Sequence, residues 1–189
     1  MYVGYVFDAD HLQEVTDRHL NLPLQNAFDE ITEELATAYP GHIRTQSRRW
    51  MLNNAGGAMG QICLIHGSVT EYLLFFGTPI GTEGHSGRYP TRVWDFMIQG
   101  EVWTYVEGSF ERIVSKPGIE AMDLKPGVAK GYRAFEDSWM LEYARGPIPL
   151  MLPFGLWDTL FSTLDILTFG KTLWQYGQLA TDQLLKGKI

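Results

Sequence analysis

Trp139-Met140-Leu141-Glu142-Tyr143 sets a carboxylate in the middle of a run that otherwise reads as a buried β-strand. On period-2 alternation Glu142 shares its face with Met140 and Ala144, while Trp139, Leu141 and Tyr143 line the other. Neither face is polar, so the charge cannot simply turn to water. Val93-Trp94-Asp95-Phe96-Met97-Ile98 repeats the pattern: Asp95 lies between Val93 and Met97, with Trp94 and Phe96 on the other face. An isolated buried carboxylate is expensive, so it shifts its pKa, finds a partner or does both. The competing explanation is a structural ion pair with Arg92 or Arg145 at the strand ends. No cation lies inside either run, which favours one shared, dry acid/base site.

Around these strands the chain has the make-up of one folded domain. Its 189 residues suffice for a substantial core. Apolar residues at 45% and aromatics at 13% exclude disorder, and six Trp with nine Tyr predict large apolar contact surfaces. The balance of 15 basic to 22 acidic residues leaves −7. No Lys/Arg run interleaves with aromatics, so nucleic acid is not an expected partner. Cys63 stands alone, which excludes an internal disulfide. The first residues lack a basic region followed by an apolar run, so no secretory signal is read there. Trp50 to Thr70 carries no charge, yet Asn53, Asn54, Gln61 and several glycines argue for protein core over a lipid-facing helix of about 20 residues.

Three zones make up the expected single domain of 1–189. Residues 1–49 hold N-terminal helices: Asp10 is the expected cap of one running to about Leu20, and Pro23 opens a second with Leu24, Phe28, Ile31 and Leu35 on one face. Asp29, Glu30, Glu33 and Glu34 cluster on the far side, and Pro40-Gly41 stops it. Residues 50–146 read as short strands punctuated by glycine, at 61–66, 69–76, 92–99, 101–106, 110–114 and 138–144, which favours a small barrel or sandwich. The fold class is α+β, mainly β. Residues 147–189 are helical again and unusually apolar, with Asp158, Asp165 and Lys171 the only charges between Pro147 and Ala180. Leu150, Phe154, Trp157 and Phe161 form one stripe, while Leu152, Leu156, Leu160 and Leu164 fill the other sides. Such helices lie flat on a membrane, cover the barrel or form an oligomer contact.

Other chemistry is weaker. His66, in Ile62-Cys63-Leu64-Ile65-His66, shares strand parity with Ile62 and Leu64 and reads as a hydrogen-bonded core histidine rather than a metal ligand. No His-x-His occurs, so no metal is expected. Tyr72 has the parity to donate its hydroxyl to a buried carboxylate, and Glu71 is expected to meet a polar neighbour as a structural group. The glycine-rich run Gly81 to Tyr89 opens no predicted helix and lacks Gly-Lys-Ser/Thr, so it makes a poor phosphate cradle.

Together these segments resemble the C-8 sterol isomerase (Δ8–Δ7 isomerase) and sigma-1 receptor family. Carrying the resemblance are Asn53-Asn54-Ala55-Gly56-Gly57-Ala58-Met59-Gly60, His66 through Tyr72, Phe76-Gly77-Thr78 and Gly84-His85-Ser86-Gly87-Arg88-Tyr89. Trp139 through Gly146 and Asp158 through Asp165 continue it over nearly the whole chain. Leu152-Pro153-Phe154-Gly155 and Gly81 through His85 are closer to the sterol isomerases than to the receptor. The resemblance implies a cupin-like β-barrel around the ligand, with two C-terminal helices against the membrane, in a homotrimer, at the endoplasmic reticulum of a eukaryotic cell. Asp95 and Glu142 fall on the family's two ligand-facing acids, and Tyr72 on the tyrosine that orients one of them. Met59, Ile62, Leu64, His66, Leu74, Phe76 and Val93 are the candidate ligand contacts beside them. Relatives usually begin with a transmembrane helix, and this chain starts where that helix would end, at Tyr2 to Asp8. Met122-Asp123-Leu124 stands where relatives often place a histidine near the barrel mouth.

The expected activity is a shift of a sterol ring double bond from C8–C9 to C7–C8 through a carbocation, with Asp95 and Glu142 as acid and base and no cofactor. The alternative is a non-catalytic, receptor-like binder of sterols and cationic amphiphilic amines.

Overall fold

The computed structural model describes residues 4–46 and 48–189, so Tyr2 and Val3 of the expected opening segment lie outside the described residues. Helix α1 (Ala9–Arg18) is capped by Asp8, whose carboxylate accepts the His11 N–H at 3.0 Å. Asp10, the expected cap, falls in the first turn: Asp8 still has extended backbone, the conformation from which a side chain reaches back to the free N–H groups. Pro23 immediately precedes α2 (Leu24–Ala38), which buries Ala27, Phe28, Ile31 and Leu35.

Two antiparallel sheets follow. The larger runs β1 (Met51–Ala55), β2 (Ala58–Gly67), β3 (Glu71–Thr78), β10 (Ser138–Arg145), β5 (Arg92–Gln99) and β8 (Met122–Leu124). The smaller runs β4 (Thr82–His85), β9 (Lys130–Ala134), β6 (Val102–Val106) and β7 (Ile113–Ser115). Strands β1, β4 and β9 escape the sequence pattern because they are short and half-exposed, with polar residues or glycine in place of an apolar alternation, and β8 because it alternates over only three residues. The expected run at 110–114 shrinks to β7, and Phe110 is fully exposed. Gly56 and Gly57, at φ +62° and +81°, make the two-residue hairpin turn between β1 and β2. A Cβ at Gly56 would also stand 2.2 Å from the His85 carbonyl oxygen, so only glycine lets this hairpin tip meet the end of β4.

The larger sheet separates two apolar cores. On its outer face α1 and α2 cover Cys63, Ile65, Leu73, Phe75, Trp94, Phe96, Trp139, Leu141 and Tyr143. On its inner face Ile62, Leu64, Leu74, Phe76, Val93, Met97, Met140 and Ala144 pack with Val102 and Ala134 of the smaller sheet. This is a mainly β, cupin-like barrel with helices at both chain ends. A 3-10 turn at Ile148–Leu150 leads into α3 (Leu152–Phe161) and α4 (Ile166–Leu185), and Ile148, Met151 and Leu179 close the inner core.

A buried clasp joins the two ends of the chain. Glu71 of β3 is fully buried and accepts the backbone N–H groups of Val6 (2.8 Å) and Phe7 (3.3 Å), the Tyr143 hydroxyl (2.6 Å) and the Lys188 ammonium (2.9 Å). Lys188 also donates to the Gly4 carbonyl at 2.6 Å and the Thr70 hydroxyl at 2.9 Å. The expected polar neighbours of Glu71 are thus a network in which almost every charge and donor is matched. Breaking such a pair from one side leaves a buried charge uncompensated. Lys188→Met is expected to cost about 3–5 kcal/mol of unfolding free energy, and Lys188→Met with Glu71→Gln less than the sum of the two singles, both read by chemical denaturation.

Candidate functional site

Register brings the two carboxylates together. β10 pairs with β5 so that Glu142 stands directly opposite Asp95, both on the inner face. Asp95 is 3% exposed, and its Oδ1 has no hydrogen-bond partner. Glu142 accepts a hydrogen bond from the Tyr72 hydroxyl, which reaches across from β3. The competing cations are engaged elsewhere. Arg92 grips Asp123 through Nε and Nη2, each at 2.8 Å, and Arg145 lies over the rings of Tyr5 and Trp94.

The pair opens into an apolar cavity of about 170 Å³. Of the expected contacts, Ile62, Leu64, Tyr72, Leu74, Phe76 and Val93 line it together with Asp95 and Glu142. Two others do not. His66 leaves the inner face because an extra residue at Ile65 breaks the β2–β3 register: Leu64 opposes Leu74, but His66 opposes Leu73 of the outer face. There it stacks edge-on against Phe7 and meets the His42 carbonyl through Nδ1 at 2.8 Å, and burial lowers its pKa to about 4, so it stays neutral. Met59 sits one residue from the tip of the β1–β2 hairpin, 44% exposed, beyond the part of β2 that the barrel covers.

Several lining residues lie outside the expected set of ligand contacts. Tyr89 and Tyr132 approach from the opposite wall, and Phe154, Thr172 and Tyr176 from α3 and α4. Tyr89 lies within the quoted glycine-rich motif, and its hydroxyl donates to the Ser86 carbonyl at 2.9 Å, which shapes that loop as a wall of the cavity. Met122 and Leu124 line the cavity, while Asp123 between them holds Arg92. Among the described residues no three His, Cys, Asp or Glu side chains gather in a way that could hold a metal.

Electrostatics separates the two acids. Burial pushes the Asp95 carboxyl well above the usual carboxylate range, and the charge of Glu142 pushes it further, with Lys130 pulling back. Burial also raises Glu142, but the Tyr72 hydroxyl opposes the rise. Two acids at close range in a dry site hold one proton between them. The Tyr72 hydroxyl favours charge on Glu142, whereas no hydrogen-bond donor reaches Asp95 Oδ1. The phenols of Tyr72, Tyr89 and Tyr132 are raised, by burial first and then by both carboxylates, so they remain protonated. The arrangement offers a neutral acid beside an anionic base, walled by apolar side chains.

Residues 2–188 match the family described as ERG2 and Sigma1 receptor like protein. The "Protein erg2 homolog" of Dictyostelium discoideum is 46% identical, over 94% of this chain and 76% of its own length. The "C-8 sterol isomerase erg2" of Aspergillus fumigatus is 40% identical over 98% of this chain and 78% of its own. The "Sigma non-opioid intracellular receptor 1" of Xenopus tropicalis is 39% identical over 93% and 79%. Among solved structures, an RmlC-like cupin from Shewanella frigidimarina superposes with a TM-score of 0.39 and 13% identity over 51% of this chain and 84% of its own.

The raised pKa values have a signed consequence for stability. Unfolded Asp and Glu titrate near about 4, whereas the folded pair keeps its proton to higher pH. Above that range the folded state binds more protons than the unfolded one, so the pair's contribution to stability falls as pH rises. Asp95→Asn removes this loss. The variant should match the parent below about pH 4 and become progressively more stable than it toward neutrality. Unfolding curves of parent and variant across that range measure the difference, and parallel pH dependences would contradict the raised pKa.

Proposed function

The chain belongs to the ERG2 and Sigma1 receptor like protein family, and from that premise we propose that it is an isomerase that moves a sterol ring double bond from C8–C9 to C7–C8. The observation that carries this reading is the Asp95/Glu142 pair, opposed in register at the wall of an apolar cavity with one hydroxyl aimed at Glu142. Asp95 gives its proton to C9, and the C8=C9 electron pair forms the new C–H bond, leaving a tertiary cation at C8. Glu142 then takes the C7 proton, and that C–H pair becomes the C7=C8 bond. The proton returns from Glu142 to Asp95 across the two strands. Apolar walls keep water from trapping the cation, and the carboxylates stabilise it by charge.

The same reading puts the protein on a membrane surface, that of the endoplasmic reticulum if the cell is eukaryotic, as a homotrimer. Among the described residues no helix is long and apolar enough to cross a membrane. Leu150, Trp157, Phe161, Leu164, Ile166, Leu167 and Trp174 are nonetheless more than half exposed on and around α3 and α4, an apolar surface suited to lying in the headgroup boundary. Phe154, Leu156 and Tyr176 of the same helices line the cavity, so a sterol dissolved in lipid has a short route to the acids.

A second reading rests on the receptor-named relatives, at a similar level of identity to the isomerases. A protonated amphiphilic amine resembles the C8 cation, so binder and enzyme take the same amines. Turnover of a Δ8 sterol by the purified protein, or in a strain lacking its own isomerase, separates them. Glu142→Gln and Asp95→Asn should each lower turnover by about 10²-fold or more while the protein stays folded. Near-normal turnover by either would remove the acid/base assignment, and amine binding without any parental turnover would favour the binder. Trp157→Glu with Phe161→Glu should weaken co-flotation with liposomes.

A further inference from the structure

We infer that Lys130 is a positioning residue for this chemistry: its ammonium, held beside the acid pair by the Asp123 carbonyl, stabilises the carboxylate that Asp95 becomes on giving up its proton. The inference rests on the acid/base reading of Asp95 and Glu142 above.

Lys130 opens β9, where it shares strand parity with Tyr132, which lines the cavity, and with Ala134, which is buried in the inner core. The side chain therefore starts inward, and the residue is only 8% exposed. Its backbone is fixed from both sides by Ser86, another residue of the cavity wall: Lys130 N–H donates to the Ser86 hydroxyl at 2.8 Å, and Ser86 N–H to the Lys130 carbonyl at 2.9 Å. The ammonium donates to the Asp123 carbonyl at 2.8 Å. On β8 Asp123 adjoins Met122, the residue directly opposite Asp95. The anchor thus ties the cation to the neighbour, on β8, of the residue that faces Asp95 across the strands.

A buried lysine ordinarily claims a carboxylate. The carboxylate nearest along its own anchor, Asp123, is already bound by Nε and Nη2 of Arg92. What remains is an ammonium that acts on Asp95 by charge, with only a backbone oxygen as its hydrogen-bond acceptor among the described residues; burial lowers its pKa from the usual lysine value, while Asp123 and Asp95 pull it back up. The groups that bear on Asp95 are Glu142 from β10, the phenols of Tyr72, Tyr89 and Tyr132, and Lys130; those that bear on Lys130 are Asp123, Asp95 and Lys125. Lys130 is the cation that acts on Asp95 from among them.

The consequence follows from the charge change in the step. Before transfer the pair carries one negative charge; afterwards both Asp95 and Glu142 are anionic beside the new ring cation. Lys130 offsets the second charge and keeps Asp95 acidic enough to protonate an alkene. Removing it makes Asp95 a weaker acid that holds its proton to higher pH.

Lys130→Met should therefore turn over at least about tenfold more slowly, and the basic limb of its kcat–pH profile, where Asp95 loses its proton, should move up by about one unit. Lys130→Arg, which keeps the charge, should recover much of both. Dodecyldimethylamine supplies a readout independent of turnover. Its binding needs the pair ionised, so the pH at which affinity rises should also move up in Lys130→Met, while affinity on the high-pH plateau stays equal to the parent or increases. A merely structural loss would weaken that plateau. An unchanged limb and an unchanged amine profile in folded Lys130→Met overturn the inference even with the parent active. If the parent proves inactive on sterols, the isomerase reading fails, and the amine profile alone still decides whether Lys130 sets the acidity of Asp95.

Discussion

Two carboxylates set opposite each other on neighbouring strands at the wall of an apolar cavity, Asp95 buried and Glu142 half-buried, cost folding free energy as charges, and the surrounding structure is arranged around that cost. The pair is not neutralised by a bidentate arginine, which would lower both pKa values and leave no acid. Instead Tyr72 gives a hydroxyl to one member and Lys130 a charge at a distance to the other. The result is an unequal pair, and inequality is what general acid/base work requires.

The barrel is well suited to tolerate such a site. The larger sheet is covered on both faces, so destabilisation on its inner side is offset by a dense outer core of aromatic and aliphatic residues under α1 and α2. Stacking of Trp94 on Tyr143, with centroids 5.4 Å apart, backs the very strands that present Asp95 and Glu142. Tyr143 in turn donates to Glu71, so the clasp that joins the chain ends shares a strand with the catalytic candidate Glu142. A nearly fully matched ionic network on one face of the sheet and an unmatched pair on the other show how the same residue type serves rigidity or chemistry, depending on how many of its lone pairs are filled.

Much of this was legible in the chain. Period-2 alternation set Asp95 and Glu142 on one face of their strands and Trp94, Phe96, Trp139, Leu141 and Tyr143 on the other, because a strand buried on both faces still sorts its side chains strictly by parity; which face is the inner one came with the fold. Helix α2 was readable from Leu24, Phe28, Ile31 and Leu35, since a three-to-four spacing of apolar residues has few other uses. Parity failed at His66, where one extra residue at Ile65 turned the side chain to the other face, and the apolar run on both sides of the bulge conceals it. Strands β4 and β9 were hidden for a different reason: Thr82 to His85 and Lys130 to Ala134 owe their pairing to each other and to β6, not to local propensity.

The sequence by itself determined that two acids lie in apolar strands, that helices flank a β-rich middle, and that a tyrosine has the parity to reach one acid. Each is a property of spacing along one segment, and spacing survives in one dimension. Only the tertiary structure decided which residues face each other across strands: Glu142 opposite Asp95, Tyr72 reaching Glu142, Lys130 anchored at Asp123, and α3 with α4 closing the cavity through Phe154 and Tyr176. Register and closure depend on contacts between segments far apart in the chain, and their energies belong to no single stretch of it.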